Sequence, residues 1–166
     1  MKVLVHDLNE QDFALLGIAE NDFEIINANG PFAPCMGCFY CWLKTPGICK
    51  ISDGLRNIGS LMGNSKEIIL ISQNCYGGYS EPVKKVIDRS ISTSLPFFTY
   101  RSGTMRHRRR YNVDQKRLTV FLYGDFLETE KITAQLIVEA NQSNMDCHEG
   151  NLHMIKYINE IGGFLK

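Results

Sequence analysis

Four of the six cysteines in this 166-residue sequence fall between Cys35 and Cys49, spaced C-x2-C-x2-C-x7-C. Cys35, Cys38 and Cys41 can converge on one point if the backbone wraps around it. Pro46-Gly47 is a turn signal that folds Cys49 back toward the same point. Four thiolates from compact loops are the donor set of a [4Fe–4S] cluster. The run is similar to the ferredoxin spacing, but its last gap is longer and no proline follows Cys49. Zinc favours two separated C-x2-C pairs, which this stretch lacks. The same residues read equally as reduced thiols in a half-buried loop. Trp42 is expected to pack over that loop and shield it from solvent.

Composition bounds the class. Hydrophobic residues make up 44% and charged residues 22%, the mixture of an ordinary globular domain. The net charge is +0, so nothing pulls the whole chain toward nucleic acid or a membrane surface. Met1 to Val5 is too short an apolar run for a signal peptide or a membrane span, so a cytoplasmic location is expected. There the cysteines stay reduced, and metal or redox chemistry is favoured over a disulfide framework.

The elements that must position the cysteines alternate. Lys2–His6 reads as a buried strand, followed by a short helix within Asn9 to Glu20, capped by Asn9 or Asp7. Phe23 to Ala28 is the second strand, and Asn29-Gly30-Pro31 opens the cysteine loop, residues 29–51. A helix from Ser52-Asp53 runs through Leu55, Ile58 and Leu61-Met62 to Gly63-Asn64. Glu67 to Ser72 is a continuous apolar run, the mark of a strand covered on both faces. Ser80-Glu81-Pro82 opens a helix with Val83, Val86, Ile87 and Ile91 as its buried stripe. Leu118 to Tyr123 is another covered strand. Glu128 to Asn141 is an amphipathic helix expected to bury Ile132, Leu136 and Ile137 or Val138. A weak last strand is placed near Leu152 to Tyr157, with little helix after it.

Five such alternations predict one α/β domain over residues 1–166. The expected architecture is a three-layer, doubly wound, five-stranded parallel sheet of flavodoxin-like order 2-1-3-4-5, with a shortened C-terminal end. Ligands of such sheets bind beyond the carboxyl ends of the strands, at the switch between strands one and three. His6 to Asn9, Gln73 to Ser80 and Tyr123 to Asp125 would meet there, with the cysteine loop beside them.

Two segments then carry a resemblance: CMGCFYCWLKTPGIC with Lys50 to Asp53, and Ser72-Gln73-Asn74-Cys75-Tyr76-Gly77-Gly78-Tyr79-Ser80 leading into Val83 to Arg89. Together they resemble the NAD(P)H-dependent FMN reductase group of the flavodoxin superfamily, especially its cysteine-bearing branch that includes the iron–sulfur flavoproteins. The resemblance implies FMN as cofactor and NAD(P)H as electron donor. It implies a flavin-ring loop at Asn74, Cys75, Tyr76, Gly77, Gly78 and Tyr79, a second at Tyr123, Gly124 and Asp125, and Asn9 near the phosphate. It also implies Cys35, Cys38, Cys41 and Cys49 as ligands of a [4Fe–4S] cluster relaying single electrons, and a homodimer or dimer of dimers. The partners would be small-molecule or protein electron donors and acceptors, with no nucleic acid or membrane. No catalytic acid or base is singled out.

One stretch departs from that pattern. Where the group has a Ser/Thr/Gly/Asn-rich phosphate loop at a helix N-terminus, this chain has His6-Asp7-Leu8-Asn9-Glu10-Gln11-Asp12. Three carboxylates there would repel a phosphate dianion. The arginine-rich run within the loop 99–117 is either a solvated loop or a substitute anion site through Arg106, Arg108 and Arg109. Leu95 to Phe98 is expected to pack in the core, with a dimer contact or a flavin-pocket wall as the alternative. Cys75 reads as a quiet half-buried thiol, and nothing is assigned to Cys147 or His148. The expected function is an FMN-dependent oxidoreductase: an FMN reductase or an electron-transfer flavoprotein. The alternative is a non-catalytic binding or redox/metal-sensing protein on the same fold, with a degenerate flavin phosphate site.

Overall fold

The computed structural model describes residues 1–101 and 103–165. In chain order it runs β1 (Lys2–His6), α1 (Glu10–Ala14), β2 (Phe23–Asn27), α2 (Tyr40–Leu43), α3 (Ile58–Asn64), β3 (Glu67–Gln73) and α4 (Glu81–Arg89). Then come β4 (Ser94–Arg101), β5 (Thr104–Arg109), β6 (Arg117–Tyr123), α5 (Glu128–Asn144) and β7 (Glu149–Ile155). Short 3-10 turns lie at Glu20–Asp22, Ile91–Thr93 and Ile158–Gly163. The main sheet is parallel throughout, in the order β2-β1-β3-β6-β7. Counting only its own strands, this is the expected 2-1-3-4-5 order.

Alternate strand residues feed opposite faces. Val3, Val5, Ile68, Leu70, Leu118 and Val120 pack with Ile58 and Met62 of α3, Val83 and Val86 of α4, and Ala134 and Val138 of α5. On the other face Leu4, Ile69, Ile71 and Phe121 pack with Leu16 and Ile161. That second layer is thin. α1, the short helix expected within Asn9 to Glu20, has five residues, because Gly17 turns the chain at φ +57. The C-terminal layer is only a 3-10 turn. The helix expected from Ser52 begins six residues later, at Ile58, and the last strand runs Glu149–Ile155.

Two further expectations are corrected. α5 leaves Ile132 and Leu136 exposed, at 69% and 61%, while Ala134 and Val138 are buried and Ile137 half-buried. Small residues let the helix lie close to the sheet, and its bulkier residues turn outward. The segment read as a loop over 99–117 is largely an antiparallel ribbon, β4 on β5, turning at Gly103 with φ +76. It stands away from the main sheet, so Phe97 and Phe98 are each 61% exposed rather than in the core. Leu95 and Pro96 are half-buried at its base.

The ribbon is rooted against α3. Gly59 and Gly63 are one turn apart on that helix, where a methyl group would collide with Ser92 and with the Tyr111 ring. Beneath them Lys116 is buried and donates from Nζ to Gly63 O at 3.1 Å. Burial lowers its pKa from 10.5 to about 8, against the opposing pull of Cys147. The folded state therefore holds fewer protons than the unfolded between those pH values, and stability rises with pH across that window. Lys116→Met is expected to stabilise the protein by about 1–2 kcal/mol at pH 7. The gain should shrink as pH rises through 8 toward 10.5, as urea denaturation at pH 7 and 10 would read.

Candidate functional site

Three loops meet beyond the carboxyl ends of β1, β3 and β6, as the sequence predicts. Asn74 organises them: its Nδ2 donates to Asp125 O at 3.0 Å and to Glu130 Oε2 at 2.9 Å, and its Oδ1 accepts from Gly77 N. The Glu130 carboxylate also accepts from Leu127 N, so Asn74 ties the loop to the first turn of α5. Cys75 and Gly78 exchange backbone hydrogen bonds across a tight turn, in which Tyr76 takes φ +54. Gly77 is packed on Glu130 O, where a Cβ would stand at 2.5 Å. Cys75 is exposed.

The two loop tyrosines are not equivalent. Tyr76 is 85% exposed, at the mouth of the crevice. Tyr79 packs against the core and accepts from Asn141 Nδ2 at 3.1 Å. Burial pushes its hydroxyl up to about 12, with the Asn141 bond opposing. Gly124 turns the second loop at φ +105, and the exposed Asp125 faces Lys156 at 3.4 Å.

The crevice floor is acidic. Asp7 Oδ2 accepts from Gln73 N at 2.9 Å and from Ser80 Oγ, while its Oδ1 is buried with no hydrogen-bond partner among the described residues. Burial, then the charge of Asp7, holds the neighbouring Tyr123 hydroxyl well above the ordinary tyrosine range. Asn9 caps α1 through Asp12 N at 2.8 Å and donates to the Asp12 carboxylate. His6 accepts from Leu8 N through Nδ1 and stacks on Phe13, and burial lowers its pKa. The loop after β1 is thus internally bonded and carries carboxylates where a phosphate would lie. It does not fit that phosphate.

The cysteine loop folds elsewhere. Cys35, Cys38, Cys41 and Cys49 line one small cavity together with Ile51, Arg89 and Ile91. Gly37 at φ +63 and Phe39 at φ +54 turn the chain through the first three, and Gly37 N donates to Cys35 Sγ at 3.5 Å. Cys41 O accepts from Gly47 N, and Cys49 N donates to Arg56 O at 2.8 Å, which returns the fourth sulfur. Cys41 is buried, and burial raises its pKa; the nearby Cys49 and Cys35 raise it further while Ser92 lowers it. Among the described residues no group of three His, Cys, Asp or Glu side chains is drawn in tightly enough for a single metal ion. A cluster is larger than an ion, and its ligands stand further apart. Four thiols around one cavity are the donor set that such a cluster takes.

Sequence reasoning missed the support of this loop. Arg89 is buried and forms a two-pronged ion pair with Asp53, at 2.9 Å and 2.8 Å, while donating to Ala33 O at 2.7 Å. Asp53 also accepts from Ala33 N and Leu55 N. Asp53, read from sequence as a helix start, instead clamps both ends of the cysteine loop. The signal was an arginine closing the apolar stripe of a helix. The cysteine cavity lies at the C-terminal end of α4, whereas the Asn74 to Tyr79 loop leads into its N-terminus. Nine helical residues span roughly 13 Å, so the two sites are set apart within one chain rather than side by side.

Between the cysteine loop and the ribbon lies a cleft of about 460 Å³, bordered by Cys35, Trp42, Asp88, His107 and Asn144. Trp42 Nε1 donates to Ile91 O at 3.0 Å. Its ring lies 5.3 Å from those of Phe39 and His107, and His107 lies 4.5 Å from Phe98. Trp42 thus packs toward Ile91 and the ribbon, and Cys35 and Cys38 are exposed rather than shielded by it. On the ribbon, Arg109 pairs with Asp146 and with Asp114 at 3.6 Å, Arg108 is exposed, and Arg106 keeps a buried Nε without a partner among the described residues. Among the described residues no helix is long and apolar enough to cross a membrane.

No family model matches the chain. It is 37% identical over 87 residues to an iron–sulfur flavoprotein of Methanocaldococcus jannaschii; the match covers 51% of this chain and 44% of that relative. The chain therefore spans less than half of the curated relative it matches. Among solved structures it is similar to an FMN-dependent NADH-azoreductase from Bacillus anthracis in complex with FMN, with TM-score 0.56 and 9% identity over 92% of this chain and 85% of that one. An NADH:FMN oxidoreductase in its apo form superposes with TM-score 0.53 at 11% identity, over 99% and 87% of the two chains. The azoreductase AzrA superposes with TM-score 0.56 at 9% identity, over 99% and 90%. At these identities the likeness is one of fold, and the fold is flavodoxin-like α/β.

Proposed function

We propose that the chain is a flavodoxin-like, FMN-dependent oxidoreductase of the iron–sulfur flavoprotein kind, taking electrons from NAD(P)H or a protein donor. The carrying observation is the four-cysteine cavity, built on a flavodoxin-like fold in a chain with a 37% identical iron–sulfur flavoprotein relative. A [4Fe–4S] cluster held by Cys35, Cys38, Cys41 and Cys49 would supply single-electron relay. The chain's own residues would hold it: Phe39 lines the cavity, and Arg89 with Asp53 fixes both ends of the loop. The flavin-ring end is assigned to Asn74, Cys75, Tyr76, Gly77, Gly78, Tyr79, Tyr123, Gly124 and Asp125, with Tyr76 as the free stacking ring.

The phosphate end is assigned away from the β1–α1 loop, to Arg106 and Arg108 on the ribbon of a second copy in a homodimer or dimer of dimers. Arg109 is already paired and would hold the ribbon rather than the ligand. Replacing Arg106 and Arg108 together with alanine is expected to weaken FMN binding at least tenfold by flavin-fluorescence titration, with the fold intact by circular dichroism. Unchanged affinity would remove the arginines from the account. A cytoplasmic location belongs to the same reading.

A second reading is favoured by Asp7, whose carboxylate is fixed by Gln73 and Ser80 in the acidic loop after β1. On that reading the protein binds no flavin and its cysteine loop senses metal or oxidation. An FMN titration showing no binding to the iron-loaded protein would select it.

A further inference from the structure

We propose that Arg89 is a positioning residue of the four-cysteine site: its free N–H donates to a ligand sulfur and raises the reduction potential there. The inference rests on the iron–sulfur reading above. A guanidinium carries five N–H donors. Arg89 uses three, one to Ala33 O and two to Asp53. Its side chain is 0% exposed, yet Nε has no acceptor among the described residues. Native interiors seldom leave such a donor unmade without a functional reason. The same side chain lines the cavity of the four sulfurs, and the thiol of Cys49 lies beside it.

The two prongs to Asp53 fix the plane of the guanidinium, so the two remaining donors, Nε–H and one on Nη2, cannot swing away to another acceptor. Sulfur ligands carry negative charge, and reduction adds one electron to the group they hold. An N–H donor and a buried cation next to them favour the reduced, more negative state, which raises the potential. Asp53 tempers this by neutralising part of the arginine's charge. The pair therefore acts with opposite signs on the same site. Removing the cation should lower the potential, and neutralising the carboxylate should raise it.

The test is a potentiometric titration of the iron-loaded protein, read by electron paramagnetic resonance, on wild type, Arg89→Gln and Asp53→Asn. Arg89→Gln is expected to shift the midpoint negative and Asp53→Asn positive. Each shift should be about tenfold in the reduced-to-oxidised ratio at fixed potential, or about 59 mV for a one-electron couple. A purely structural role would lower iron occupancy in both variants without opposite shifts. If Arg89→Gln does not fold, the positive shift of Asp53→Asn decides alone, because loosening the loop would not favour the reduced state. Unchanged midpoints in iron-loaded variants overturn the role of Arg89 and leave the iron–sulfur reading standing. A wild-type protein that takes up no iron overturns that reading and this inference with it.

Discussion

Replacing Asp53 with alanine is expected to destabilise the fold by about 3–5 kcal/mol, the cost of leaving a buried cation without its partner. The Arg89 side chain is 0% exposed and that of Asp53 15%, so water cannot take over the missing bonds. The loss spreads beyond the pair, because Asp53 also holds Ala33 and Leu55 through their backbone N–H groups. The effect carries a pH signature. Hydrogen bonds from Arg89, then those from Ala33 and Leu55, outweigh burial and hold the Asp53 carboxyl at about 2, below its usual 3.8. A depressed folded-state value means that the carboxylate's contribution is complete above about pH 4 and is lost as pH falls through 2. Urea denaturation of wild type and Asp53→Ala should show a gap that narrows by about 2 kcal/mol between pH 5 and 2. A gap constant across that range would contradict the account of the pair.

The second large effect is chemical. Cys41→Ser is expected to reduce iron uptake on anaerobic reconstitution from about four per chain to less than about one, because a hydroxyl is a poor substitute for a thiolate in a cluster site. Cys41 is the buried member of the four, and Gly47 and Ser92 hold its backbone and side chain in place. The substitution is nearly isosteric, so circular dichroism should report an intact fold. Cys147→Ala is the matched control. Cys147 is also buried, but it lies beside Lys116, outside the cysteine cavity, and iron should stay at the wild-type level. Equal loss in both variants would mean that the cysteines act only through packing.

Much of the fold was legible because its strands are continuous apolar runs. Glu67–Gln73 and Arg117–Tyr123 are buried on both faces, and such runs declare a covered parallel strand without help from distant residues. The convergence of the four cysteines was legible for a similar reason, since spacing and a Pro-Gly turn are local. What escaped depended on contacts far apart in sequence. The Arg89–Asp53 pair joins residues 36 apart, and nothing near Asp53 distinguishes a clamp from a helix cap. The ribbon was read as a loop because its outward aromatics, Phe97 and Phe98, break the usual link between apolar residues and burial. Ile132 and Leu136 misled in the same way, since helical periodicity does not say which of two apolar stripes meets the sheet. The order of elements does not fix where a long loop comes to rest, so the cysteine cavity was placed beside the loops after β3 and β6 instead of at the far end of α4.

The misfit of the β1–α1 loop was visible from sequence as three carboxylates, and the structure supplies its cause. Asp7 is tied to Gln73 and Ser80, so it belongs to the architecture of the crevice and cannot swing out to admit an anion. A flavin seated over the Tyr76 loop therefore needs a cation from outside this part of the chain, which the exposed Arg108 of a neighbouring ribbon can supply.

The most direct measurement of the central claim is iron and acid-labile sulfide per chain on anaerobically reconstituted protein, with the absorption spectrum recorded before and after FMN is added. The account predicts about four irons and about four sulfides per chain, together with a flavin spectrum that stays with the protein through gel filtration. A chain that retains neither iron nor flavin would contradict it.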